Sequence, residues 1–322
     1  MLVQFAPKPE VFAGTDAEIC LGDSYDLADA TVSNGENIQW TIVDGDGEFI
    51  GNANSLNPSY EPGTQDLLDG TVTLRLTAEA IDPCQTAVSD DIILTITPLP
   101  ELTVQSVFDI CEGSFTITGT SATNNDNIQW QLIQGSGSLQ FDDQLSPVYT
   151  TGPGDVANGT VILRAIVAGL GACSSTNDQK DVTLTINPKG TVDAGSPMEA
   201  CVGSPYTFAN GAIASNVENI RWTHDGLGSI SEGQGTMTPT YTPSVGEIGL
   251  INFTLEADEL SPCPDQITNT VTLELIPNPE ADAGASFTTC ADSVNLNGTV
   301  TNASGVTWSG GNGTFTPDIR AH

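Results

Sequence analysis

The chain is poor in positive charge: Lys and Arg together number 7 against 41 Asp and Glu in 322 residues, a formal net charge of −34. Such a surface repels phosphate backbones and anionic headgroups, which excludes nucleic acid and polybasic membrane docking as partners. Long apolar runs are missing too. No window approaches the roughly 18 residues of a spanning helix, and the opening MLVQFAPKPE has neither the basic cluster nor the apolar core of a signal peptide. Neither direct membrane insertion nor an intact leader is expected, and the chain reads as a processed or excised piece of a longer one. Histidine is limited to His224 and His322. A Ser-His-acid machine needs a histidine held by a carboxylate, so no catalytic residues are assigned and an enzyme is not expected. Aromatics make up 6%, too few to build an exposed sugar-stacking platform once the tryptophans enter cores. Charged residues are only 15%, whereas Gly and Pro reach 33 and 19, a composition suited to turns and strands.

What the chain does have is a period. Cys20, Cys111, Cys201 and Cys290 are 91, 90 and 89 residues apart, and Trp40, Trp130, Trp222 and Trp308 follow them by 20, 19, 21 and 18. A recurrence of this length is one folding unit repeated. Prolines mark the joints, where a fixed φ and a missing N–H end strands: Pro7 and Pro9, Pro98 and Pro100, Pro188, Pro277 and Pro279. The organisation expected is a lead-in over 1–7, repeats over 8–98, 99–188 and 189–277, and a truncated fourth over 278–322.

Before each boundary, apolar residues alternate with polar ones: Ile92, Leu94, Ile96; Val182, Leu184, Ile186; Val271, Leu273, Leu275. Period two is the mark of a half-buried strand. An earlier strand repeats it with Val72, Leu74, Leu76; Val161, Leu163, Ala165; Ile251, Phe253, Leu255. A third surrounds each tryptophan, as in Asn37-Ile38-Gln39-Trp40 and Asn127-Ile128-Gln129-Trp130. No helix is predicted. Short strands separated by turn signals predict an all-β chain of tandem Ig-like or PKD-like β-sandwiches in a linear array, with Trp40, Trp130, Trp222 and Trp308 as core residues.

The seven cysteines support two pairings. Within repeats, Cys20 joins Cys84, Cys111 joins Cys173 and Cys201 joins Cys263 over separations of 64, 62 and 62, which leaves Cys290 unpaired. Across joints, Cys84 joins Cys111, Cys173 joins Cys201 and Cys263 joins Cys290, which leaves Cys20 alone. The first scheme is preferred, one disulfide per domain, because a loop of that size stabilises a small core by roughly 4 kcal/mol in the chain-entropy model. Disulfides place the chain outside the cytosol. No Cys-x-x-Cys or Cys/His cluster of zinc spacing occurs.

A Gly-x-Gly follows each tryptophan: Gly45 and Gly47, Gly135 and Gly137, Gly226 and Gly228, Gly311 and Gly313. Strand-like residues come next rather than a helix start, so a hairpin turn is expected and not a phosphate loop. Asp44-Gly45-Asp46-Gly47-Glu48 resembles the opening of a calcium loop. The other repeats lack it and no closing glutamate follows. Asp44, Asp46 and Glu48 are therefore preferred as a solvated acidic hairpin, with calcium as the one metal candidate and no other cofactor. Tyr60, Tyr149 and Tyr241 each stand two residues after a proline, and their recurrence predicts a packing or corner role.

The stretches Ala13-Gly14-Thr15-Asp16 through Ile19-Cys20-Leu21-Gly22, Asn37-Ile38-Gln39-Trp40-Thr41 and Gly305-Val306-Thr307-Trp308-Ser309-Gly310-Gly311-Asn312-Gly313-Thr314-Phe315 carry a family resemblance. From about Pro7 onward the chain resembles the tandem PKD-like or Ig-like repeats of very large Bacteroidetes cell-surface adhesins of the SprB gliding-motility type. It lacks the Trp-Asp-Phe-Gly-Asp-Gly stretch of typical PKD domains, so Ig-like is the closer label. The resemblance implies type IX export, attachment outside the cell, and a stiff stalk presenting adhesive regions for surface attachment or gliding. The implied partners are a surface polysaccharide or solid substratum, met through regions outside this segment, and the motility or secretion machinery at the outer membrane. The alternative is a carbohydrate-binding or spacer module of a secreted glycan-active enzyme.

Overall fold

The computed structural model describes residues 5–316. The chain divides between Asn187 and Pro188 into two compact units. Two β-sandwiches make up the first; the second holds one sandwich and the start of a fourth repeat. Each complete sandwich has the same plan. A four-stranded sheet in the first repeat runs in the order Ala17–Cys20, Val88–Thr97, Thr71–Ala80, Gly35–Asp44, and faces a three-stranded sheet of Tyr25–Asp26, Ser59–Glu61 and Glu48–Ile50. A ribbon of Glu10–Phe12 on Thr31–Ser33 completes it. The fold is all-β and Ig-like, as the alternation predicts.

Strand alternation fills the core between the sheets. In Thr71–Ala80, Val72, Leu74, Leu76 and Ala78 point inward and are buried, while Thr73, Arg75 and Thr77 are only partly covered. Val161, Leu163, Ala165 and Val167 do the same in the second repeat, and Ile251, Phe253, Leu255 and Ala257 in the third. Trp40, Trp130 and Trp222 are buried at the centre of their clusters. Each indole N–H donates to a backbone carbonyl, of Leu56 at 3.2 Å, Gln144 at 3.0 Å and Thr236 at 2.9 Å. A buried indole needs such a partner, so one bond fixes both the ring and the loop above it. Trp308 is only half-buried; among the described residues, the fourth repeat has one ribbon, Glu280–Asp282 on Thr299–Thr301, and no sheet of more than two strands.

One pairing fixes where the cysteines lie. The strand Ala17–Cys20 runs parallel to the last strand of its sandwich, with Cys20 beside Thr97. Cys111 beside Asn187 and Cys201 beside Ile276 repeat the arrangement. All three sit at the pole where their sandwich ends, and each is followed by a residue whose N–H donates to the last strand: Leu21 to Thr97, Glu112 to Asn187, Val202 to Ile276.

Two details depart from the sequence reading. Six-residue helices occur at Thr64–Asp69 and Pro153–Asn158 where none is predicted. They are too short for an apolar period, and each exists because the acid at its third position accepts the N–H of the glycine before it, Gly63 to Asp66 at 3.0 Å and Gly152 to Asp155 at 2.8 Å. The Gly-x-Gly segments are not hairpins either. Gly45–Gly47 leads from Gly35–Asp44 in one sheet to Glu48–Ile50 in the other, and Gly135–Gly137 crosses in the same way.

Candidate functional site

Two constellations stand out, a buried polar corner that recurs in each complete sandwich and a sulfur joint between the first two. The corner is best formed in the second sandwich. Tyr149 is fully buried and donates its hydroxyl to Asp155 Oδ2 at 2.6 Å. Asp155 also accepts the Ser136 N–H at 2.6 Å, the Ser136 hydroxyl at 3.1 Å and the Gly152 N–H, while the Gly137 N–H donates to the Tyr149 oxygen at 3.0 Å. In the first sandwich Tyr60 donates to Asp66, which accepts from the Asp46, Gly47 and Gly63 N–H groups. Tyr241 and Glu247 take these places in the third, with Leu227 and Ser244 as backbone donors. Glycine is required where the loop crosses the ring: a Cβ on Gly137 would lie 2.6 Å from Tyr149 Oη.

Charge in this corner is held by donors. Burial pushes the Asp155 carboxyl upward, but hydrogen bonds from Tyr149, Gly152 and Ser136 together outweigh it and leave the group below its ordinary range. Glu247 is likewise lowered, its donors Ser244, Leu227 and Tyr241 overcoming burial. Burial first, and then the neighbouring carboxylate, raises the tyrosines; Tyr241 is pushed up to about 12. A carboxylate saturated with internal donors and sealed from water is a packing element rather than an acid or base for a substrate. The acids were missed in the sequence, although Asp66, Asp155 and Glu247 all stand six residues after their tyrosines.

The remaining candidates disperse. Asp46 caps the short helix, its Oδ1 accepting the Gln65 N–H at 2.8 Å, and Asp44 and Glu48 are exposed. Among the described residues these three do not form a metal-sized group. Asp91 engages Arg75 through two bonds of 2.6 and 2.7 Å, and Asp181 engages Arg164 in the same way. His224 packs against Tyr241 and Phe253 with ring centroids 5.0 and 5.5 Å away.

The sulfur joint corrects the expected pairing. Cys20 is bonded to Cys173, 153 residues later and in the next sandwich, with Cα atoms 4.7 Å apart. Cys111 and Cys263 are disulfide-bonded as well, whereas Cys84, Cys201 and Cys290 are free thiols. Neither Cys20 with Cys84, Cys111 with Cys173, nor Cys201 with Cys263 is formed, and the alternative across joints fails too. The reason is strand length. Within one sandwich the strand cysteine lies beside the end of the last strand, but the loop cysteine lies before its start. Ten residues of Val88–Thr97 intervene, roughly 33 Å against a limit of about 7 Å between bonded Cα atoms. Reaching the loop of the following sandwich is the short path. Around the bond, Cys173 Sγ lies 3.2 Å from the Thr97 carbonyl oxygen, and Gly171, at φ +47°, leaves room for the Glu18 carboxylate. Cys20 and Thr97 are both buried there.

No family model matches the chain, and no curated protein matches its sequence. Among solved structures, the titin fragment I67–I69 is 11% identical with a TM-score of 0.48, over 84% of this chain and 99% of that one. Human CDH23 EC21-23 is 12% identical with a TM-score of 0.46, over 83% of this chain and 100% of that one. Immunoglobulin domains 1–5 of Sidekick-1 give 12% and 0.41, over 85% and 60%. Among the described residues, no helix is long and apolar enough to cross a membrane.

Proposed function

We propose that the chain is a repeat segment of a secreted cell-surface adhesin of the gliding-motility type, a stiff stalk that carries adhesive regions away from the cell. The single observation behind this reading is the bond from Cys20 to Cys173, which joins two consecutive sandwiches. An array built for reach has to resist bending and pulling at its joints, and a covalent tie beside a short linker does both. Disulfides of this kind persist outside the cytosol, in keeping with export through the type IX pathway and attachment at the outer surface. Net negative charge keeps neighbouring fibres apart. Contact with polysaccharide or a solid substratum belongs to regions beyond this segment, as does engagement with the motility or secretion machinery.

Stretching single molecules tests the mechanical part. While the bond holds, Cys20 and Cys173 cannot separate; once it is cut, the 153 residues between them extend on the order of 500 Å. Reductant also cuts the disulfides of Cys111 and Cys263, so maximum extension should grow by at least that amount when it is added, and an unchanged extension would remove the stalk reading. Antibody against the segment should label intact cells. Labelling only after lysis would remove the surface assignment.

A further inference from the structure

The bond from Cys20 to Cys173 is closed to solvent. Cys20 is 4% exposed and Cys173 is 0% exposed, at the seam between the first and second sandwiches. Thiol exchange begins when a thiolate reaches one of the two sulfurs, so a bond without access is inert to reductant. Cover comes from both sides. Cys173 Sγ lies 3.2 Å from the Thr97 carbonyl oxygen of the first sandwich, and Cys20, at the end of the strand Ala17–Cys20, sits under the Gly171–Cys173 turn of the second. The sulfurs therefore stay hidden only while the two sandwiches are docked.

The covering loop is held to itself. The Cys173 N–H donates to Leu170 O at 2.8 Å, Ser174 to Gly171 O at 3.1 Å, Thr176 to Cys173 O at 2.9 Å and Gly169 to Thr176 O at 3.1 Å. The Thr176 hydroxyl adds a bond of 2.7 Å to Cys173 O. All of these stay inside the second sandwich, so parting the seam breaks none of them and the loop leaves as one piece. The rim of the seam is acidic. Glu18 is exposed, accepts the Thr97 hydroxyl and occupies the space that Gly171 leaves by having no side chain. A carboxylate there, on a chain of net charge −34, also repels an approaching thiolate.

We propose that this bond is a tension-gated redox joint, sealed against thiols while the two sandwiches are docked and cut by a thiol reductant once pulling parts them. Such a gate presupposes the stalk reading, since a stalk is what transmits the pull. With a dithiol as reductant, one thiolate attacks Cys173 Sγ, the bond to Cys20 breaks, and Cys20 leaves as a thiolate that takes a proton. The second thiol of the reductant then displaces Cys173, which takes the other proton, and the reductant ends as a cyclic disulfide with two electrons fewer. Cutting leaves the connection through Pro98 and Pro100, which turns a fixed joint into a hinge with both sandwiches still folded.

Two measurements on the whole chain test the gate. Dithiothreitol followed by alkylation and peptide mapping gives the rate at which Cys20 and Cys173 become labelled. In the folded chain this rate should lie on the order of 100-fold or more below that of the urea-unfolded chain; equal rates would overturn the seal. Single molecules held in dithiothreitol at constant force, below the force that unfolds a sandwich, should show cleavage that accelerates with force. Each cleavage should give a step of roughly tens of ångströms, against about 300 Å for unravelling one repeat. One such step should vanish in Cys20→Ser and persist in Cys84→Ser. Cleavage indifferent to force, or seen only after a sandwich unravels, would overturn the gate. Failure of the stalk reading is distinguishable, because cells labelled only after lysis would remove the stalk and leave the folded-to-unfolded ratio as measured.

Discussion

Cys20 and Cys173 belong to different sandwiches yet form one disulfide, and the loop carrying Cys173 covers the pole where the first sandwich ends. The joint between these sandwiches is thus part of the folded core and not a free hinge.

Peptide mapping without reduction should recover Cys20 linked to Cys173, with Cys84 and Cys201 open to alkylation in the folded chain. In the chain-entropy model, closing a separation of 153 residues contributes about 5 kcal/mol. Cys20→Ser should therefore lower the melting temperature strongly, whereas Cys84→Ser should leave it unchanged. Equal effects of the two would contradict the joint.

Tyr149→Phe removes the hydroxyl that Asp155 accepts and leaves the Gly137 N–H without its acceptor. Loss of a buried partner costs about 1–3 kcal/mol, measurable as a shift in the denaturant midpoint at constant slope. Gly137→Ala should cost at least as much, because its Cβ meets the tyrosine ring. A neutral Gly137→Ala would show that the corner is loosely packed.

Stability should be lost at both extremes of pH, for opposite reasons. Asp155 and Glu247 have lowered values in the folded chain. Their contribution is present above the unfolded range of about 4 and is lost as pH falls through the folded values. Tyr241 is raised to about 12; its contribution is intact below about 10 and disappears as pH rises through the folded value. Chemical denaturation across pH should show a plateau between these limits, and Asp155→Asn should flatten the acid limb. An acid limb unchanged in that variant would place the sensitivity elsewhere.

Trp130→Ala should destabilise the second sandwich by about 3–5 kcal/mol through a core cavity, and it also frees the Gln144 carbonyl. Tryptophan fluorescence of Trp40 and Trp222 in that variant then reports whether the other sandwiches melt separately.

Much of the architecture is written locally. Alternation such as Val72, Leu74, Leu76 fixes which face of a strand is apolar, because the side-chain period of a strand is two. The spacing of Cys20, Cys111 and Cys201 sets the length of the repeat. The acids of the corner left a trace in the constant six-residue step from each tyrosine. The short helices left none, because six residues held by one carboxylate contain no apolar period.

Composition and short-range patterning suffice to make this an acidic, repeating, all-β chain, since those properties depend on residue content and on neighbours a few positions apart. Which sulfurs meet is settled by long-range packing. That outcome depends on a parallel pairing which puts the strand cysteine at one pole and the loop cysteine at the other, a strand length too far to bond within a sandwich and near enough to bond with the next.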